Sequence, residues 1–358
     1  MNRFTRGAAG LLLSACIGLG AGASWAAGLE TEQTNLYEAA KKTPRVVVYT
    51  SMSSTDIDRM SAAFKKKYPG IETEFFRAGS GTALEKLLSE DESRNYRADI
   101  FLFHAPNAWS DLKSGGLLMK YDSPVYPEFP DYAQDPGYTV SGRTLMDMIG
   151  YNTSLVSKER VAKLKTIEDW VKLAELPEYR GRFGMQDTTT GAGIENIFTM
   201  INADGKDRVR SWLKRLFAAG LRMSSGGDTQ IQDLSSGQEA FNFFVPTHRL
   251  QAALATHAPV SFSTLASGQH YFLSPMSIYA KAPHPAAAKL FFNWWNSKEG
   301  QAILAEVSGA YSARTDVPAP KGFPALSELN LIKLTMDDWP KMEAQTDPIR
   351  AMMDEARR

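Results

Sequence analysis

Residues 45–54 read RVVVYTSMSS, and they set the pattern for the first third of the chain. The β-branched run at 45–49 predicts a short buried strand. A polar loop follows at 51–54, and apolar residues at helical spacing then predict a helix over 56–68. A strand, a polar loop and a helix in this order form the first unit of a parallel α/β sheet.

The same unit occurs twice more along the chain. Residues 71–76 and 98–103 predict two further strands, with helices opening near Gly81 and over 106–112. In such sheets ligands bind beyond the carboxyl ends of the strands. Polar loops stand at all three of these ends, at 51–54, 79–82 and 104–107.

A second series of elements follows an irregular stretch at 121–142, which is rich in Pro, Tyr and Asp. Its strands are predicted at 145–151, 182–186, 221–224, 240–244 and 276–280. Its helices are predicted at 192–201, 206–219, 230–235, 285–296 and 298–307. The alternation of strands and helices predicts the α/β class.

The composition narrows the class of function. The chain has 358 residues, long enough for two domains, and is 43% hydrophobic, as soluble globular proteins are. Lys plus Arg equals Asp plus Glu, at 40 each, which argues against a nucleic-acid partner. Cys16 is the only cysteine, so no disulfide is expected.

The N-terminus has the features of an export signal. Arg3 and Arg6 precede a small, apolar stretch at 7–22, which is too short and glycine-rich for a membrane-spanning helix. Ser24 and Ala26 suit cleavage after Ala26, so residues 1–26 are predicted to be a signal peptide and the mature protein periplasmic. In an alternative reading, residues 13–16 (LSAC) resemble a lipoprotein box that would lipidate Cys16.

Five segments, taken in order, resemble periplasmic binding proteins of the ferric-ion, hexose-phosphate and phosphonate group of bacterial ABC uptake systems. The segments are VVVYTS at 46–51, FRAGSG at 76–81, ADIF at 98–101 with GGLL at 115–118, IGYNT at 149–153 with Trp170 and YRG at 179–181, and KLFFNW at 289–294 with SKEGQ at 297–301. No single motif is diagnostic, but the ordered set spans most of the chain.

The resemblance implies a type II binding-protein fold, in which two α/β lobes joined by crossing strands enclose a ligand cleft. It assigns 27–144 and 272–325 to the first lobe, 145–271 to the second and 326–358 to a C-terminal helical segment. It also implies a monomer without catalysis or cofactor, whose partners are a small-molecule ligand, an inner-membrane ABC permease and the permease's cytoplasmic ATPase.

Two loops offer helix N-termini to an anion. Ser80, Gly81 and Thr82 follow a predicted strand and open a helix, and 188–193 (TTTGAG) does the same in the second lobe. The first amides of a helix lack internal partners and attract phosphate, phosphonate or carboxylate. We therefore predict ligand contacts at the loop residues, and ordinary helix capping is the alternative. The predicted contacts in the second lobe are Thr189, Thr190 and Gly191.

The remaining predicted ligand contacts lie in three other loops. They are Ser51 and Ser53 after the first strand, His104 after the third, and Thr247 with His248 in the second lobe. The resemblance implies that ferric-ion relatives carry an adjacent tyrosine pair near this last position, but here 244–248 reads FVPTH and no two tyrosines are adjacent. No zinc-like histidine spacing is present either, so no metal site is predicted.

The leading hypothesis is the binding of a small anionic solute, such as a phosphorylated sugar or a phosphonate. Two other functions are alternatives to it. A polyamine or other cationic solute would use aromatic walls and carboxylates, for which Trp109, Tyr151 and Asp187 are candidates. A secreted hydrolase would need a nucleophile beside a base. Ser110 and Lys113 have the spacing of a serine–lysine pair, but the other motifs of that chemistry are missing.

Overall fold

The computed structural model describes residues 31–105, 108–335 and 338–358, so the predicted signal peptide and Cys16 lie outside the described residues. The strands are β1 (Arg45–Thr50), β2 (Glu72–Arg77), β3 (Ile100–Leu102), β4 (Gln134–Asp135), β5 (Thr139–Asn152), β6 (Phe183–Gln186), β7 (Arg222–Ser224), β8 (Phe241–Pro246), β9 (Val260–Ser263), β10 (Gln269–Ile278) and β11 (Leu331–Lys333). The helices are α1 (Ser54–Lys67), α2 (Ser80–Glu92), α3 (Trp109–Ser114), α4 (Lys158–Val161), α5 (Ile167–Glu175), α6 (Gly191–Asp204), α7 (Lys206–Ala218), α8 (Gly227–Ser236), α9 (Thr247–Ala255), α10 (Pro285–Trp295), α11 (Lys298–Ser308) and α12 (Trp339–Arg357).

The strands form one continuous sheet that serves two lobes. Its main order is β2-β1-β3-β10-β5-β8-β6-β7, with β11 on β10 and with β4 and β9 on β5. In the first lobe β1 runs parallel to β2 and β3, and in the second β6 runs parallel to β7 and β8. The antiparallel strands β5 and β10 lie between these groups and connect them. The two-lobed α/β architecture with crossing strands is therefore confirmed.

The crossing strands are longer than the sequence indicated. β5 starts at Thr139 and has 14 residues, and β10 starts at Gln269 and has 10, against predictions of 145–151 and 276–280. Both strands are nearly fully buried yet carry many polar side chains, so neither shows the apolar run or alternation that marks a strand. The irregular stretch predicted at 121–142 therefore ends too late, because its last residues belong to β5. The predicted lobe boundaries fall at these strands and stay a prediction.

Aromatic packing fixes the helices that follow β10 against the first lobe. The Phe64 ring of α1 lies 4.8 Å from the Phe291 ring and 5.1 Å from the Trp294 ring of α10. Because these rings are buried, the contact holds α10 beside α1. The next helix, α11, begins where the Ser297 hydroxyl accepts a hydrogen bond from the Gly300 amide.

The chain ends in α12, which packs against α6 and α7 of the second lobe. The strand β11 precedes this helix and pairs with β10, one of the two crossing strands. Among the residues that the structure describes, no helix combines the length and the apolar character needed to cross a bilayer.

Candidate functional site

A cavity of about 760 Å³ lies between the two lobes. The first lobe contributes Ser80, Gly81 and His104 to its lining, and the second contributes Thr190, Gly191 and Glu195. The cavity also has a third wall, formed by residues of α12. Its size is that of a site for a small organic molecule.

The N-terminus of α2 opens on this cavity with free backbone amides. Gly79, which precedes the helix, gives no side-chain cap, and the first amide to find a backbone acceptor is that of Ala83, bonded to the Gly79 carbonyl at 2.9 Å. The amides of Ser80, Gly81 and Thr82 therefore have no partner among the described residues. Such amides carry partial positive charge and favour an anion.

The N-terminus of α6 opens on the same cavity from the other lobe, but its cap is already in place. The Thr190 hydroxyl donates to the Asp187 carbonyl at 2.7 Å and accepts from the Gly193 amide at 3.1 Å. The Thr190 hydroxyl thus caps the helix, as the alternative allowed, and a contact between Thr190 and the ligand stays a prediction. The amides of Gly191 and Ala192 remain without a partner among the described residues.

The two glycines of this turn have different roles. A Cβ at Gly193 would lie 2.0 Å from the Asp187 carbonyl oxygen, so only glycine fits there. A Cβ at Gly191 would meet nothing within 4 Å, because it would point into open space. Gly193 thus keeps the turn tight, whereas Gly191 leaves its amide accessible from the cavity.

His104 and Glu195 form a hydrogen bond across the cleft. The His104 Nε2 atom lies 2.6 Å from Glu195 Oε1, and its Nδ1 atom lies 2.8 Å from the Leu273 carbonyl oxygen of β10. Burial lowers the pKa of His104, but the Glu195 charge and these two hydrogen bonds outweigh it and raise the pKa above the ordinary value. The favoured state of the pair is therefore a charged imidazole that faces a carboxylate.

A buried polar group on the crossing strands lies behind this pair. Burial and, to a lesser extent, the nearby Glu195 charge raise the pKa of Asp147 on β5 to about 8, although a hydrogen bond with Asn196 and the His104 charge act in the opposite direction. The protonated form of Asp147 is therefore favoured at neutral pH. His270 on β10 places its Nδ1 atom 2.8 Å from Asn196 Oδ1 and stacks on Phe244 at 4.1 Å. Burial lowers the pKa of His270 to about 3, which keeps it neutral.

Arg143 of β5 is a buried cation without an ion-pair partner in the described parts of the chain. Its surface is only 7% exposed, and its Nε atom makes no hydrogen bond. Burial lowers its pKa to about 10, although Asp56 acts in the opposite direction. Its positive charge also acts on His104, which lines the cavity, and on His248, which belongs to a second polar group outside the lining.

That second group comprises Thr247 and His248 at the start of α9. The Thr247 hydroxyl and the His248 Nδ1 atom are buried and have no hydrogen-bond partner within the described residues. Burial, followed by the Arg143 and Arg249 charges, lowers the pKa of His248 well below its ordinary value. These two side chains are neutral, unpaired and close to a buried cation.

Of the predicted ligand contacts, the structure brings five together in the lining of the cavity, namely Ser80, Gly81, His104, Thr190 and Gly191. The other six do not line it; they are Ser51, Ser53, Thr82, Thr189, Thr247 and His248. Ser53 caps α1 by accepting from the Asp56 amide at 3.2 Å, and the Thr189 amide donates to the Asp187 carboxylate at 2.8 Å. Whether any of the eleven contacts a ligand stays a prediction.

The sequence alone does not identify four charged residues: Glu195 and Arg350 line the cavity, whereas Arg143 and Asp147 lie on β5 outside its lining. Arg143 and Asp147 lie on the part of β5 where an acid and a base interrupt a buried strand, and Glu195 is a lone acid in an apolar helix. A charge where burial is expected is a detectable signal of function. Arg350 gives no such signal, because an arginine on a terminal helix looks like any solvated residue.

The residues proposed for a cationic solute are engaged elsewhere. Trp109 is buried, with its ring 5.4 Å from that of Phe101, and Asp187 pairs with Arg357 at 3.7 Å. Tyr151 is buried as well, and no Phe, Tyr or Trp of the described residues lines the cavity. The hydrolase candidate Lys113 pairs with Asp135 at 2.6 Å. No group of three potential metal-ligating side chains occurs in 31–105, 108–335 or 338–358.

Comparisons with known proteins identify what this fold and cleft resemble. Residues 59–330 match the family model described as bacterial extracellular solute-binding protein. An uncharacterized protein of Haemophilus influenzae is 26% identical over 319 residues, covering 87% of this chain and 89% of the relative.

Solved structures resemble the whole fold. Iron-bound HitA of Pseudomonas aeruginosa superimposes with a TM-score of 0.72 at 19% identity, over 86% of this chain and 99% of HitA. The periplasmic binding protein AfuA of Actinobacillus pleuropneumoniae, with fructose-6-phosphate bound, gives a TM-score of 0.67 at 21% identity, over 87% of this chain and 97% of AfuA. The fold is that of the two-lobed type II periplasmic binding proteins, as the resemblance implied.

Proposed function

The chain belongs to the bacterial extracellular solute-binding proteins, the non-catalytic components that capture solutes for ABC importers, and on that premise we propose that its solute is a small organic anion such as a phosphorylated sugar or a phosphonate. The solute binds between the lobes and is delivered, on opening, to a membrane permease driven by an ATPase. The protein acts as a monomer after its leader is cleaved behind Ala26.

One observation carries the choice of an anion: the N-termini of α2 and α6 belong to different lobes and open on one cavity. Each presents amides without an internal partner, those of Ser80 and Gly81 on one side and of Gly191 and Ala192 on the other. An anion held by both helix ends would pull the lobes together, because each dipole stabilises the same negative charge.

The buried Arg143 supports the same choice. A buried cation without a partner is costly, and an anion in the cleft would offset that cost. A cationic solute would instead be repelled by Arg143 and by His104, whose pKa is raised, although the Asp111 carboxylate also lines the cavity. AfuA, which has the same fold, was solved with a phosphorylated sugar.

A thermal-shift and calorimetry screen tests the proposal directly. The probes are fructose 6-phosphate, n-butylphosphonate, inorganic phosphate, spermidine and ferric citrate. We expect an organic anion to raise the melting temperature, since a ligand that binds only the native state adds about 2.7 kcal/mol at a hundredfold excess over its Kd. Stabilisation by spermidine alone, or by ferric ion alone, would show that the solute is not an organic anion.

A further inference from the structure

The C-terminal helix α12 forms one wall of the cavity. Its residues Met342, Thr346 and Arg350 line the cavity and are spaced four apart, so they lie on one face of the helix. The match to the family model ends at residue 330, before this helix begins. The wall is thus built by a segment outside the part of the chain that the family model matches.

Buried side chains and ion pairs fix α12 to the second lobe. Ile349, Met352 and Met353 are buried, and the helix packs on α6 and α7. Glu355 pairs with Lys214 of α7 at 2.7 Å, and Arg357 pairs with Asp187 at 3.7 Å. Because these contacts all lie within the second lobe, α12 moves with that lobe and keeps its place over α6 when the cleft opens.

Arg350 lies next to the anion-attracting end of α6. Its Nε atom donates to the Thr188 carbonyl at 3.5 Å, directly before the helix cap at Thr190. Its nearest carboxylate, that of Asp347, is 3.6 Å away on the exposed side of α12. The Arg350 guanidinium therefore adds positive charge beside the free amides of Gly191 and Ala192.

The first lobe faces α12 across the cavity with an apolar surface, made by Leu84, Leu88, Leu112 and Leu117. Leu88 is 43% exposed. Within the described residues, only Leu176 is another large apolar side chain that is exposed. Met342 lines the α12 side of the same space. Hydroxyl groups in contact with these apolar side chains would lose water without gaining hydrogen bonds there, although Asp111 and Thr346 also line the cavity.

We propose that α12 completes the solute site and sets its selectivity, and that the solute is an organic anion bearing an apolar substituent. The anionic group binds at the two helix ends beside Arg350, and the alkyl or aryl part lies between Leu88 and Met342. The inference rests on the proposed anionic solute and narrows it, because it disfavours the polyhydroxylated sugar phosphates.

Calorimetry with n-butylphosphonate and fructose 6-phosphate on the purified protein tests this inference. We expect butylphosphonate to bind at least tenfold more tightly. Leu88→Gln should weaken butylphosphonate binding by roughly three- to tenfold, through loss of apolar contact. Leu176→Gln is the matched control, since Leu176 is similarly exposed at 39% but does not line the cavity, and it should change nothing.

Arg350→Gln should weaken the binding of both anions by roughly tenfold, whereas Lys341→Gln on the same helix should leave it unchanged. Tighter binding of fructose 6-phosphate, or unchanged affinities in both Leu88→Gln and Arg350→Gln, would overturn the role of α12 while leaving the anionic solute intact. Failure of every anion to bind at millimolar concentration would overturn both proposals together.

Discussion

His104 and Glu195 join the two lobes directly, by a hydrogen bond of 2.6 Å between the imidazole Nε2 and the carboxylate Oε1. His104 follows β3 in the first lobe, and Glu195 lies in α6 of the second lobe, on the other side of the crossing strands. Their side chains are 16% and 3% exposed, so the bond is shielded from water. Lobes that rotate apart must break it, and the pair therefore stabilises the closed arrangement.

Glu195→Gln should shift the protein towards an open form, because removing the charge of one partner leaves a buried imidazolium uncompensated. Spin labels at Ser89→Cys and Lys206→Cys, both exposed and in different lobes, would report the distance between lobes. The distance distribution should move to longer values. Glu178→Gln, which removes an exposed pair with Arg160 inside one lobe, is the control; equal distributions in the two variants would contradict the role of the bond.

The closed form should weaken as the pH rises. The pKa of His104 is raised by Glu195, so its stabilising charge is fully present below the ordinary value of 6.5 and is lost as the pH passes through the raised pKa. Asp147 and Arg143 on β5 and the Leu273 carbonyl on β10 face the same imidazole. The spin-label distance measured from pH 6 to pH 9 should lengthen, and a distance independent of pH would argue against a charged His104.

Asp147→Asn should stabilise the protein at neutral pH. The pKa of Asp147 is raised from 3.8 to about 8, so its contribution to stability is present below pH 3.8 and is lost as the pH rises through 8. Each pKa unit corresponds to about 1.4 kcal/mol, and an asparagine carries no proton to lose. We expect urea denaturation at pH 7 to show a gain of roughly 2 to 4 kcal/mol, and a loss of stability would mean that Asp147 is ionised.

The sequence predicted the parallel units of both lobes because their signals are local. The strand β1 has a β-branched run, and α1 has an apolar stripe bounded by Ser53 and by Tyr68 before Pro69-Gly70. The order of such units is sufficient to predict an α/β sheet whose loops meet at one edge. Ser80 and Gly191 were therefore expected at one cleft, and both line the cavity.

The contacts between lobes could not be predicted, because they join residues distant in sequence without any local pattern. The sequence identifies His104 but not its partner, because Glu195 lies 91 residues further along the chain and no local pattern connects the two. The role of the Thr190 hydroxyl could not be decided from the sequence, because a cap and a ligand contact use the same residue type. The wall formed by α12 depends on how a terminal helix packs, which its own composition does not reveal.

Ferric ion should not form a coloured complex with this protein. Fe(III) prefers phenolate and carboxylate oxygens, and no tyrosine of the described residues lines the cavity. Titration with ferric citrate, followed by visible absorbance, should show no band that saturates at one equivalent. A stoichiometric coloured complex would show that the protein binds ferric ion, and it would remove the basis for an organic anion.

Gly191→Val should abolish solute binding while leaving the fold intact. A Cβ at this position meets no atom within 4 Å, so the new side chain enters the cavity rather than the protein core and covers the amides at the start of α6. Thr189→Val, two residues before Gly191 and outside the lining, should bind normally. Thr190→Val should instead lower stability by about 1 kcal/mol, because it removes the helix cap. Calorimetry with the best anion of the screen, alongside thermal denaturation, separates these effects. Normal affinity in Gly191→Val would mean that the end of α6 does not hold the solute.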